Sequence, residues 1–172
     1  MDSQTFTRNC TRLVSTYGEE IDRALRIQAE ECSNAAIAMT NRHKELSERQ
    51  GGILPGMVQR IDELKSDAHE LRSARQWLAD ARELGADPDR AVWFVAVYAQ
   101  PVGAALVRQR ASDQVTRDRL AEELEDAADG PARTYIAKAA DLAAHQIEAL
   151  SDARDWLKRL DETEVERRSE QQ

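Results

Sequence analysis

Few side chains in this chain are spaced for chemistry. The histidines are His43, His69 and His145. A di-iron site in a helical bundle needs Glu-x-x-His on two helices and two further carboxylates. Thr40, Ser66 and Leu142 stand three residues before the histidines, so that motif is absent. Asp141 and His145 lie one helical turn apart and could share a metal, but no second such pair exists. A surface hydrogen bond is the expected role of that pair. Neither Gly-x-Ser-x-Gly, His-Glu-x-x-His nor a Walker pattern occurs. The carboxylates interleave with arginine at helical spacing, as around Glu122, Glu123 and Glu125, or Glu164, Glu166 and Arg167. That alternation marks a solvated face. No catalytic residue, metal or cofactor is assigned, and a non-enzymatic protein is expected.

Cys10 and Cys32 are the only cysteines, and their spacing is neither a metal-binding nor a redox motif. On one unbroken helix, 22 residues separate them by about 33 Å, too far for a disulfide. Two reduced thiols are expected. The first residues lack a signal-peptide core, so the expected location is cytoplasmic.

The densest basic stretch is Arg108, Arg110, Arg117 and Arg119. Arg110 and Arg117 share one helix face, and Arg108 and Arg119 another. These could grip a nucleic-acid backbone. Asp113 and Asp118 interrupt the stretch, no aromatic interleaves, and the net charge is −8. An acidic chain disfavours non-specific binding to nucleic acid or anionic lipid. Nucleic-acid binding is therefore the alternative reading, not the leading one.

Tryptophan and arginine most often anchor protein interfaces. They recur together here: Ala74-Arg75-Gln76-Trp77-Leu78 echoes Ala153-Arg154-Asp155-Trp156-Leu157 at a shift of 79 residues. Two equivalent Trp/Arg surfaces would follow if a helical hairpin were duplicated. Trp93 and Tyr98 complete the interaction candidates.

The elements that carry these residues all read as helix. Aromatics are 5% of the chain, glycine and proline are scarce, and no strand-length alternation occurs. The expectation is all-α: one domain over 1–172, an elongated bundle of four to five helices built from long antiparallel hairpins. The first helix spans about 3–50. Its stripe runs Phe6, Cys10, Leu13, Tyr17, Ile21, Ala24, Gln28, Cys32, Ala35, Met39, Arg42 and Leu46. Gly18 permits a bend. Small residues from Cys32 to Ala38 would let another helix approach closely. Gly51-Gly52 ends this helix, with Ile53 and Leu54 folding back over the core.

The second helix spans 57–85, with Met57, Ile61, Leu64, Ala68, Leu71, Arg75, Leu78 and Ala81 inward. Asp87-Pro88 then signals a helix start. The following helix, 88–110, has no charge between Arg90 and Arg108 and is apolar on every face from Ala91. Burial on all sides is expected, with a kink or break at Pro101. Its uncharged run of 17 residues rises about 25 Å, short of a ~30 Å membrane core, so no membrane span is expected. A further helix is expected over 113–128, and a last one over 132–167. That last stripe is Ile136, Ala140, Ala143, Ile147, Leu150, Arg154, Leu157 and Leu160. The tail from Glu162 should fray, and most of all 168–172.

The function expected is a structural or interaction protein: a helical subunit or adaptor with protein partners, and itself a homo-oligomer. The alternatives are a nucleic-acid-handling subunit using Arg108–Arg119, and a small-molecule binder with a pocket at the Pro101 kink.

Overall fold

The structure, a computed structural model, describes residues 2–50, 52, 54–83 and 85–170, with the side chains of 50, 167, 168 and 170 outside that description. The chain there forms four helices and no strand: α1 (Ser3–Gln50), α2 (Pro55–Arg82), α3 (Pro88–Asp126) and α4 (Pro131–Glu170).

Local chemistry sets the ends. The Asp2 carboxylate accepts from the Thr5 backbone N–H (2.8 Å) and hydroxyl (2.9 Å), capping α1. The Asp87 side chain accepts from the Asp89 N–H (3.0 Å), and Pro88 opens α3. Pro55 opens α2 two residues before the expected start, since proline at the first position forfeits no helical bond. The Leu54 N–H donates to His43 Nε2 (3.3 Å), tying that turn to α1. The expectation for Ile53 lies outside the described residues. The Arg133 guanidinium donates to the Leu124 and Ala127 carbonyls (both 2.9 Å), which α3 leaves unpaired at its end. Gly85, at φ 79°, takes the left-handed conformation that lets the chain turn after α2.

α1 runs unbroken through Gly18, as one helix over 3–50 requires, and α3 is continuous helix through Pro101, so the chain does not break there. α3 also passes Ser112 and Asp113 without restarting, so 88–110 and 113–128 are one helix of 39 residues. Asp113 does not cap a new helix because its carboxylate points inward to Arg23 and Gln109. α4 continues to Glu170, past the expected end at 167, with the Ser169 hydroxyl donating to the Val165 carbonyl (2.9 Å). Of the expected frayed tail, 171–172 lie outside the described residues.

Residue numbers on α2 fall as those on α1 rise: Arg82 meets Glu19, Arg75 meets Asp22 and Arg72 meets Ser33. α1 and α3 run parallel, with Pro88 beside Thr11 and Asp113 beside Arg23. α1 packs on the other three helices, as does α3, whereas α2 and α4 do not touch. The core therefore lies along the α1–α3 diagonal. Its largest members are Phe6, Leu13, Ile21, Leu25, Phe94 and Leu106.

That core fills only one end of the molecule. No described residue is buried over 37–60 or over 114–142. The far ends of α1 and α2, and of α3 and α4, are thus two prongs without a buried core, rising from a four-helix base and carrying exposed Ile37, Val58, Val115, Tyr135 and Leu142. Each reaches roughly 20 Å beyond the core at 1.5 Å per residue.

Where the prongs begin, a polar network crosses three helices. Arg23 Nη2 donates to Asp113 Oδ2 (2.7 Å), and Arg23 Nη1 to Gln146 Oε1 (3.1 Å). Gln109 Nε2 donates to Asp113 Oδ1 (2.8 Å), leaving Gln109 Oε1 buried without a partner.

The two helix pairs match in detail. Shifted by 81, the buried face of α1 falls on that of α3: Leu13 on Phe94, Val14 on Val95, Ile21 on Val102, Ala24 on Ala105 and Leu25 on Leu106. Shifted by 79, α2 falls on α4: Leu64 on Ala143, Ala68 on Ile147, Leu71 on Leu150, Ala74 on Ala153 and Leu78 on Leu157. Helical periodicity alone aligns buried stripes. It does not make Tyr17 match Tyr98, or Trp77 match Trp156, or place the two buried glutamines, Gln28 and Gln109, at equivalent positions. The same alignment corrects both outer stripes: Ala74 and Ala153 are buried, whereas Arg75 and Arg154 are exposed. On α1, Ala36 is buried in place of Ala35, and Arg42 is exposed.

Asp113→Ala will leave the Arg23 guanidinium and the Gln109 amide without their shared acceptor. Breaking a buried pair costs ~3–5 kcal/mol. Arg23 retains 25% of its side-chain exposure, so a loss of about 2–3 kcal/mol is expected. Urea unfolding, compared with Asp118→Ala on the exposed face, measures it.

Candidate interaction surface

From Ala91 to Val107 α3 carries no charge and is apolar all round, but it has neighbours on only three sides. Phe94, Val95, Val102, Ala105 and Leu106 are buried inward. Trp93 is 60% exposed, Val97 50% and Val107 45%, with Ala104 exposed between them. Burial on all sides is therefore not what the single chain achieves. Residues 93, 97, 100, 104 and 107 follow steps of three and four, which put them on one outer face. An 18-residue window of α3 is, by length and composition, apolar enough to cross a membrane (mean hydropathy 1.4), and 39% of it is buried in the bundle.

Beside this face a groove of about 370 Å³ runs between α3 and α4. Its floor is Ala99, Gly103, Ala104 and Leu157, and its rim carries Arg108, Arg154, Lys158 and Asp161. It flanks Pro101, but Pro101 does not line it.

The seam between α1 and α2 opens into a groove of about 370 Å³ between residues 33–41 and 65–72, but at the matching level it is latched. There Arg75 donates to Asp22 through Nε (2.7 Å) and Nη2 (3.3 Å). Arg82 reaches Glu19 (3.6 Å) across Gly18, whose missing side chain gives it passage: a Cβ there would stand 2.6 Å from Arg82 Cδ. In the second pair Arg154 stands where Arg75 does, but Gly103 stands where Asp22 does. Ala99 replaces Gly18, and Asp161 replaces Arg82. Arg154 makes no ion pair among the described residues and borders open space.

The other candidates are scattered. Trp156 is half-buried, edge-on to Tyr17 (5.9 Å between centroids, 73°), with the Arg12 guanidinium 5.8 Å from its ring centre. Burial, then the nearby Asp152 carboxylate, pushes the Tyr17 phenol above its ordinary range. Trp77 is 41% exposed on α2. The two Trp/Arg surfaces are thus not equivalent. Tyr98 is half-buried against Phe94 (6.3 Å). Among the arginines, Arg108 rims the groove, and Arg110 is exposed on the other side of α3. Arg117 pairs with Asp118 (2.7 Å) and Arg119 with Glu123 (3.5 Å). The four do not form one basic patch.

The structure also places the groups considered for chemistry. His145 Nδ1 bonds to the Asp141 backbone carbonyl (2.7 Å). No three His, Cys, Asp or Glu side chains among the described residues come together to hold a metal. Both cysteines are buried on α1, and burial, then Asp67, pushes the Cys32 thiol up. That favours the inert protonated form. The small-residue stretch from Cys32 to Ala38 divides: Cys32 and Ala36 are buried, while Ile37 is 61% exposed.

The groove residues Ala99, Gly103, Lys158 and Asp161 escape motif reading. A signal for them exists in Ala99 and Gly103, two small residues one turn apart on α3. No protein family, curated protein or solved structure matches the chain.

The two equivalent tryptophans should respond unequally to truncation. Trp156→Ala removes a packed ring and its edge contact, and about 3 kcal/mol of stability is expected to go with it. For Trp77→Ala about 1 kcal/mol is expected, because much of that ring already faces water. Parallel denaturant titrations would give the comparison.

Proposed function

We propose that the protein is a non-enzymatic structural subunit. In this reading two long antiparallel hairpins form an elongated scaffold that self-associates and works inside a larger protein assembly in the cytoplasm. One observation carries the reading: the bare apolar face of α3, with Trp93, Val97 and Val107 exposed beside a groove. An exposed apolar strip of this kind, rimmed by charge, marks an association surface. Tryptophan and arginine, the side chains that most often anchor interfaces, both lie along it.

Binding of nucleic acid through Arg108, Arg110, Arg117 and Arg119 is the weaker proposal. Two of those guanidiniums are already matched to carboxylates on their own helix. A small-molecule site beside Pro101 is weaker too, because the groove there is open along its length.

Size fractionation of an extract from the source cells, with and without nuclease, tests the reading. The chain is expected in complexes well above its own 19.4 kDa, unchanged by nuclease. Collapse on nuclease treatment would favour the nucleic-acid alternative. Elution of the native chain at monomer mass would overturn the proposal.

A further inference from the structure

We infer that the groove between α3 and α4 receives Trp93 of a second copy of this chain, in a two-fold pair with the α3 helices antiparallel. The inference rests on the association reading above and deepens it by naming the surface, the partner and the register.

Three observations carry it. The first is the comparison of the two seams. In the α1–α2 seam, Asp22 answers Arg75 and fills the space. In the α3–α4 seam, Gly103 takes that place, so Asp22's carboxylate and bulk are missing while Arg154 remains; Asp161 is the one acidic group against Arg108, Arg154 and Lys158 on the rim. An occupant that brings an apolar knob and an acidic group together suits that space and that excess of cations.

The second is that α3 itself carries both, on the same face as the groove. Trp93 is the most exposed tryptophan of the chain; one turn before it on α3 comes Asp89, with the capping Asp87 two residues further back. A two-fold interface requires knob and hole on one surface, on opposite sides of the axis. Trp93 and Gly103 are ten residues apart, about 15 Å along the helix. An axis passing near residue 98 sends each Trp93 to the other copy's Gly103. The half-exposed Val97 then lies at the axis, and each Asp89 comes level with the other copy's Val107 and Arg108, within a turn of Arg154. The charges are complementary: an acidic helix start meets a rim of three cations, Arg108, Arg154 and Lys158, and one carboxylate, Asp161.

The third is area. From Asp89 to Val107 the α3–α4 face is about 27 Å long and roughly two helices, or 20 Å, wide. Its flat outline of roughly 540 Å², before surface relief is counted, is on the scale of the ~800 Å² per partner of a stable interface.

The test is light scattering on the purified full-length chain over a range of concentrations, with four single variants. The wild type is expected at twice the 19.4 kDa chain mass. Trp93→Ala should weaken association by at least about thirtyfold, the lower bound for a hot-spot side chain. Gly103→Leu, which fills the hole, should yield monomer. A Cβ at 103 meets nothing within 4 Å in the single chain, and the rest of the leucine has the open groove to enter, so this variant should fold. Asp89→Arg and Arg154→Glu should each weaken the pair, and their combination should restore part of the loss. That recovery is expected only where Asp89 of one copy faces Arg154 of the other. A wild-type monomer overturns the inference, as does a dimer indifferent to Trp93→Ala and Gly103→Leu. So does a monomer that sediments with lipid vesicles through Trp93. If the purified chain is monomeric while the native chain runs in a large complex, only the self-pairing fails. If both are monomeric, the association reading fails with it.

Discussion

The arrangement follows from one constraint: α3 has more apolar surface than its neighbours can cover. A helix that is apolar on one stripe can sit at the edge of a bundle. One that is apolar all round must be central, in a core or in lipid. α3 meets this by packing along α1 and accepting α2 and α4 on its flanks. The α1–α3 contact becomes the diagonal of the base, and α2 and α4 are held apart on either side of it. Three flanks of α3 are satisfied in this way. The fourth, with Trp93 and Val97, is left to water in the single chain. Burial of such side chains is worth ~1.5–3 kcal/mol each relative to full exposure, so leaving them bare carries a real opportunity for association.

Two nearly equivalent helix pairs would make a symmetric bundle, and the departures from symmetry are informative. Asp113 takes the place of Cys32 and turns one half of the axis into an ionic network with Arg23 and Gln146. Gly103 takes the place of Asp22 and opens one outer seam while the other stays latched. The first change concerns the interior. A charged cluster at one level of a bundle fixes which residues can sit opposite one another, since sliding any helix by a turn would strand a buried carboxylate. The second concerns the surface. It removes the carboxylate that Asp22 supplies to Arg75 while its counterpart Arg154 remains, and Asp161 stands where the other seam has Arg82.

Much of the fold was legible in the residues. Phe6 to Cys32 follow the inward face of α1 at steps of three and four, and Asp87-Pro88 marks the start of α3. What was not legible depended on contacts across the chain. Asp113 reads locally as a helix cap, and only the presence of Arg23 on another helix turns it inward. Arg75 and Arg154 read as core positions by spacing, but one more residue of helical rotation puts Ala74 and Ala153 there. The internal correspondence was visible only in part. A single shift of 79 pairs Trp77 with Trp156, but α1 matches α3 at 81, so the two-residue difference between the pairs hid Tyr17/Tyr98 and Gln28/Gln109. The groove was invisible because it consists of what is missing from Gly103, and a missing side chain shows only when its counterpart is known. Periodicity shows that a face is apolar, but it does not say whether the same chain covers it.

The location of the bare face also matters. It does not lie on the prongs, where no described residue over 37–60 or 114–142 is buried and apolar side chains such as Ile37, Val115 and Leu142 stand singly among charges. It lies on the base, over the part of α3 whose other side is Phe94, Val95, Val102 and Leu106 in the packed core. Side chains mounted on such a backbone have few conformations left to lose. Association costs less when the surface is already ordered, because ordering each mobile side chain at an interface takes ~0.5–1.5 kcal/mol from the binding free energy. The rigid base thus suits a standing contact. The prongs, solvated and without a core among the described residues, extend from it, and the ionic network around Asp113 marks where one regime gives way to the other.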